Sequence, residues 1–327
     1  MSKSSLIWLL VTVLLITVSP AQAQQPKKVS RVSWLGTTSL SANRDRVEAF
    51  QQGLRELGYM DGKNIVMEYR FAEGKRDRMS ELTAELVRLK VDVIVTGGSG
   101  ATRPAKEATS TIPIVMTNEP DPVGQGFVAS LAQPGGNITG LTTLASELTG
   151  KRLELLKEVV PGLSRVTVLG ASTNAGNPLA IKEVEAAARA LGVQLQQLDV
   201  VKPKDIETSF QAASKARADA VILLPGGVFV SNRTLVADLA IKSRLPAIYH
   251  RSDFVEDGGL MSYSTNLADL ARRAATFVDK ILKGAKPEDL PVEQPMKFEF
   301  VVNLKTAKLI GLVIPPNVLV RADRVIR

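Results

Sequence analysis

Short apolar runs rich in β-branched residues alternate along this chain with amphipathic stretches of about 10–15 residues, a rhythm that demands βαβ units and a parallel sheet. Arg31–Thr38, Ile65–Phe71, Val91–Gly98, Ile112–Asn118 and Ile138–Thr143 read as strands. Between them, Arg44–Leu57 carries Val47, Phe50, Leu54 and Leu57 at helical spacing, and Gly58 stops it. Arg76–Leu89 sets Met79, Leu82, Leu86 and Leu89 on one face, Ala101–Thr109 is a short helix, and Val123–Leu131 is expected to be helical.

The rhythm then restarts. Helices are expected at Leu148–Val160, Asn177–Leu191, Lys204–Ala216, Val230–Ser243 and Leu267–Lys283. Strands are expected at Arg165–Ala171, Val193–Val200, Ala218–Leu224, Pro246–His250 and Lys297–Asn303. Two consecutive blocks of similar size predict an α/β protein of two Rossmann-like lobes with parallel sheets, joined by a multi-crossing hinge. Residues 24–143 with about 265–300 form the first expected lobe and 144–264 the second. Residues 301–327 are expected to pack back across both. The length of 327 residues fits, since single cores stop growing near ~250–300 residues.

Residues 1–23 read as an export leader: Lys3, an uncharged run Leu6–Val18, a Ser19-Pro20 break and a small-x-small Ala21-Gln22-Ala23 site. The run is shorter than the ~20 residues a membrane span needs. The chain has no Cys, so no lipid is attached at the cleavage point, and a freely diffusing periplasmic protein is expected. The same count excludes disulfides, thiolate metal sites and cysteine nucleophiles. A single His leaves little for metal chemistry, and no cofactor or metal is expected.

Open α/β sheets bind ligands beyond the carboxyl ends of their strands. In the first block those ends offer Thr37 and Thr38, then Ser99, Gly100 and Ala101 opening a helix, then Asn118 and Asp121. Free N–H groups at the helix start favour an anion, and a carboxylate suits them better than a phosphate because no Lys-Ser/Thr succeeds the glycines. Asp121 lies between Pro120 and Pro122, placed either to pair with a ligand ammonium or to cap the expected helix after it. In the second block the ends offer Ser172, Asn174, Gly226, Gly227, Tyr249 and His250, which is hydrogen-bonding and stacking equipment. His250 has Ser252 and Asp253 nearby, but no G-x-S-x-G elbow precedes them, so nucleophilic catalysis is not expected.

The formal charge of +8 comes from dispersed residues such as Lys151-Arg152 and Arg272-Arg273, which read as solvated helix faces. Few aromatics accompany them, so nucleic acid is not an expected partner.

Several segments, in order, resemble one family. They include Phe50–Tyr59 (FQQGLRELGY), Asn64–Gly74 (NIVMEYRFAEG), Asp121–Gly140 (DPVGQGFVASLAQPGGNITG), Gly150–Lys157 (GKRLELLK), Phe254–Tyr263 (FVEDGGLMSY) and Lys297–Val320. The family is the ABC-transporter substrate-binding proteins related to tryptophan/tyrosine binders, with a type I periplasmic-binding fold. The resemblance implies a non-enzymatic, monomeric protein that closes on a small solute, an amino acid or related carboxylate, and delivers it to an ABC permease. The Asp-Pro-Val element is intact at Asp121–Val123, whereas Gly98-Ser99-Gly100-Ala101 stands where the family's turn reads Gly-Thr-Pro-Ala. A sensor domain feeding a membrane receptor is the alternative, with an exported hydrolase behind it.

Overall fold

The computed structural model describes residues 29–75, 77–174 and 176–327. The expected leader lies outside the described residues.

The first sheet has the order β2-β1-β3-β4-β5 and is parallel throughout. Its strands are β1 (Ser30–Gly36), β2 (Ile65–Phe71), β3 (Val93–Thr96), β4 (Ile114–Glu119) and β5 (Ile138–Thr142). Such strands are buried on both faces, which is why they read as continuous apolar runs. Helices α1 (Leu40–Glu56) and α10 (Leu267–Leu282) cover one face, packing Phe50, Leu54, Leu270 and Phe277 around Trp34. Helices α2 (Arg78–Arg88) and α3 (Ser99–Ala108) cover the other through Leu82, Leu86, Ala101 and Ala105.

The second sheet has the order β12-β11-β10-β9-β8-β6-β7. Its strands are β6 (Arg165–Gly170), β7 (Gln194–Asp199), β8 (Ala220–Leu223), β9 (Ala247–Tyr249), β10 (Met261–Thr265), β11 (Phe298–Asn303) and β12 (Arg324–Ile326). Strands β10 and β11 run antiparallel and their neighbours parallel. Helices α4 (Thr149–Val159) and α5 (Asn177–Leu191) pack on one face. Helices α6 (Pro203–Lys215), α7 (Gly227–Val230), α8 (Arg233–Lys242) and α9 (Asp253–Glu256) pack on the other.

The chain passes between sheets after β5, after β10 and before β11. The Thr265 hydroxyl donates to the Thr143 carbonyl, tying two of these passages together. Glu293 extends the edge of β5, donating its N–H to Gly140 and accepting from the N–H of Thr142.

Three expectations change. Val123–Leu131 is a series of turns, not a helix: Gly126 adopts φ +68°, and the Asp121 side chain folds the chain by accepting from the N–H of Gly124 at 2.8 Å. The buried Phe127 and Val128 still dock on the first core, which gave the stretch its apolar spacing. The helix expected at Val230–Ser243 begins at Arg233 in α8; Val230 ends the short α7, and between the two the Asn232 side-chain amide donates to the carbonyl of Val228. Residues 301–327 join the second lobe: β12 pairs with β11, while Ile314 on the loop between α11 (Leu304–Ile310) and α12 (Pro316–Leu319), and Val318 in α12, fill that lobe's core.

Candidate functional site

The turns at the ends of β1 and β3 touch. Gly100 lies so close to Thr37 that a Cβ there would stand 2.8 Å from the Thr37 methyl. Gly98 at φ +87° makes the turn into α3, a conformation that favours glycine. Thr38 accepts a hydrogen bond from the Asn43 amide at 2.7 Å, fixing the start of α1 beside the same rim.

The expected anion site at α3 is built differently. The Ala101 side chain is fully buried in the core, and its N–H already bonds the Gly98 carbonyl at 2.9 Å. The Ser99 hydroxyl donates to Glu119, whose side chain is wholly inaccessible. Burial, against the help of Ser99 and with Asp121 nearby, pushes the Glu119 carboxyl up to about 7. The Ser99 hydroxyl is thus committed to the protein's own carboxyl group at the helix start. The register of β4 against β5 shifts between Met116 and Glu119. Asn118 accepts from the Thr117 hydroxyl at 2.7 Å and lies against Gly98.

Asp121 caps its own turn through one oxygen and remains partly exposed. It meets the second lobe: a Cβ at Gly176 would stand 3.7 Å from the Asp121 Cβ. Beside it lies a cavity of about 180 Å³ whose walls include Asp121, Val123, Leu144, Glu147 and, from α5, Leu179. Burial, with Asp121 and Glu183 adding to it, raises the Glu147 carboxyl.

The second-lobe candidates divide. Gly227 opens α7 after β8, and His250 directly follows β9. Asn174 accepts from the N–H of Gly176 at 3.0 Å and shapes the loop that reaches Asp121. Ser172 is turned the other way, its N–H and hydroxyl both donated to Asp199 at the end of the edge strand β7. Gly226 is buried against Phe229 and Ala171.

Tyr249 corrects the expectation of a ring lining the cleft. It is 1% exposed and stacks on Phe254 at 5.1 Å, because strand alternation puts Ile248 on one face of β9 and Tyr249 on the other. Gly259 leaves the room that ring needs, since a Cβ there would overlap it at 2.4 Å. His250 packs on the same Phe254 at 5.4 Å, its Nδ1 buried without a hydrogen-bond partner among the described residues. Burial, then the charges of Arg152 and Arg251, pull it down to about 3, so the imidazole is neutral.

Two charged groups escape the sequence argument. Arg152, expected on a solvated helix face, is fully buried. It lies one residue before Leu153 and four before Leu156, on the packed side of α4, and that spacing is the available signal. Its Nε donates to the Tyr263 carbonyl at 2.8 Å and its Nη1 to the Ala145 carbonyl at 2.7 Å, bracing two interlobe passages. Burial lowers it to about 9. The second group crosses the cleft: Arg46 of α1 stands 3.8 Å from Asp253 of α9, which also receives Arg251 and Arg233.

No group of three His, Asp or Glu that could hold a metal occurs among the described residues, and no described helix is long and apolar enough to cross a membrane.

Residues 37–326 match the model of the ABC transporter substrate binding protein family. The chain is 24% identical over 265 residues to a tyrosine-binding protein of Clostridioides difficile, covering 81% of this chain and 76% of that one. It superposes on a Streptococcus pneumonia ABC domain in complex with L-Trp with TM-score 0.81 and 26% identity, over 91% of this chain and 99% of that one. A conserved domain protein from Vibrio cholerae gives TM-score 0.82 and 27% identity, over 91% and 100%. The two parallel-sheet lobes have the arrangement of type I periplasmic binding proteins. With opposed strand ends, hydrogen-bonding rims and a family model spanning nearly all of the described chain, this protein belongs to the ABC transporter substrate-binding proteins, which bind solutes and are not enzymes.

Proposed function

We propose that the chain is the solute-capturing component of an ABC importer, acting in the periplasm as a monomer. It closes on a small solute, an amino acid or related carboxylate, and presents it to a membrane permease. One observation carries this: the carboxyl ends of both sheets face each other, with Asp121 against Gly176 and Arg46 against Asp253 across the divide. Solute contacts from two rims favour the closed state over the open one by their difference in affinity, and that difference is what a permease can read. Thr37, Thr38, Asn118 and Asp121 serve from one lobe and Asn174, Gly227 and His250 from the other. Asp121 takes the ammonium: its prolines hold it at the rim, and one of its oxygens is free of the turn it caps.

An amino-acid solute accords with the names of the tyrosine-binding and L-Trp-bound relatives, and the leader-like residues 1–23 accord with export. The test is a thermal-shift screen of the purified protein against amino acids, small dicarboxylates, sugars and polyols. Solute at ~100 times its dissociation constant adds about 2.7 kcal/mol of stability. A rise with an amino acid or carboxylate is expected; a rise confined to sugars or polyols removes the carboxylate assignment.

A further inference from the structure

Three guanidinium groups converge on a single carboxylate oxygen where the lobes meet. Oδ2 of Asp253 lies 3.8 Å from Arg46 Nη2, 3.9 Å from Arg233 Nε, and in direct contact with Arg251 Nη2. Arg251 also reaches Oδ1 at 3.1 Å through Nε, so Asp253 is engaged by a full fork. Arg233 has a second carboxylate, Asp257 at 2.8 Å, and the nearby Glu256 is held by Arg324 at 2.6 Å. Among the described residues Arg46 has no such anchor: besides the long approach to Asp253 it makes one hydrogen bond, to Asn43 Oδ1 at 3.3 Å. Its side chain is only 16% exposed. Burial, and next the charge of Arg251, bring it down to about 10, against the pull of Asp253.

The location matters as much as the charge. Asn43 ties Arg46 to Thr38 at the end of β1, and Arg251 comes directly after His250 at the end of β9. These are the strand ends of opposite lobes between which a solute sits. At the start of α3, where an anion is also expected from the sequence, the serine hydroxyl is given to Glu119. A ligand carboxylate would meet a second carboxyl group there, and here Arg46, whose approach to Asp253 is long.

We propose that the solute's carboxylate is held by Arg46 of the first lobe at the divide, with Asp253 keeping the fork of Arg251 and yielding Arg46 to it. This rests on the solute-binding function above and makes it specific: the solute carries its anionic end toward β1 and β9 and its ammonium toward Asp121. Arg233 and Asp257 are positioning residues that keep Asp253 in place. A guanidinium fork fits a carboxylate with two parallel bonds, which an ammonium cannot do.

The experiment uses the acid giving the largest melting shift among L-amino acids, succinate and malate, together with its carboxamide. Dissociation constants are measured by calorimetry for the wild type, Arg46→Gln and Arg46→Lys, with a circular-dichroism melt of each to establish folding. The expected result is a loss of about tenfold or more for the acid in Arg46→Gln. A smaller loss is expected in Arg46→Lys, and no further loss for the carboxamide, which already binds the wild type weakly. Unchanged affinity for the acid in Arg46→Gln overturns the assignment and leaves solute binding standing. Equal losses for acid and carboxamide also overturn it, making Arg46 a closure contact. Should no acid in the panel shift the melt, the carboxylate function fails and this assignment with it.

Discussion

The hydroxyl of Ser99 donates to the carboxyl group of Glu119, and Glu119 is entirely shut off from solvent at the start of α3. The side chain therefore meets the positive end of a helix dipole and a hydroxyl, but Oε2 finds no hydrogen-bond partner among the described residues. Burial outweighs that help and leaves the group titrating near 7.

Glu119 predicts a pH-dependent stability. Its folded value of about 7 lies above the ordinary 4.5, so the folded state holds the proton more tightly. The stability it lends is complete below pH 4.5 and is lost as pH rises through 7, a change of up to about 3 kcal/mol. Glu119→Gln keeps the shape and the hydrogen bond without the charge. Urea unfolding from pH 4.5 to 8.5 should show the wild type weakening across that window and the variant holding level. Parallel curves would contradict the assignment.

His250 works in the opposite sense. Its folded value of about 3 lies below the ordinary 6.5, so the neutral imidazole contributes stability above 6.5 that drains away as pH falls toward 3. Inside that window the loss runs at about 1.4 kcal/mol per pH unit. His250→Leu, which can still pack on Phe254, should unfold at lower pH than the wild type in an acid titration monitored by tryptophan fluorescence. An unchanged acid midpoint would mean that the imidazole takes up its proton without unfolding the protein.

Arg152 braces the passages between lobes through the carbonyls of Ala145 and Tyr263. Arg152→Met fills much of the volume but leaves both carbonyls without their donor, each a penalty of about 1–3 kcal/mol. Its melting temperature should fall accordingly in calorimetry, and one equal to the wild type would show that the hinge does not depend on these bonds.

The fold is legible because parallel strands buried on both faces leave continuous apolar runs, as in Val93–Thr96 and Ala220–Leu223. The turns after Asp121 are not: Phe127 and Val128 sit in the core and mimic a helical stripe, while a side-chain cap decides the backbone. Position at strand ends is legible for Thr37, Asp121 and His250, since topology alone fixes it. Tyr249 misleads because alternation along a three-residue strand has no register to read until its neighbours are known. The Arg46–Asp253 contact is out of reach of sequence, since it joins residues of different lobes and exists only once those lobes meet.

The most direct measurement is isothermal titration calorimetry of the purified protein with the amino acid or dicarboxylate that raises its melting temperature most. One solute per chain is expected, with a negative heat-capacity change as the lobes bury surface. For an amino acid, a loss of about tenfold in affinity in Asp121→Ala is also expected, as its ammonium loses its partner. Saturable binding of a sugar or polyol with no binding of any amino acid or carboxylate would contradict the assignment of this cleft to a small carboxylate solute.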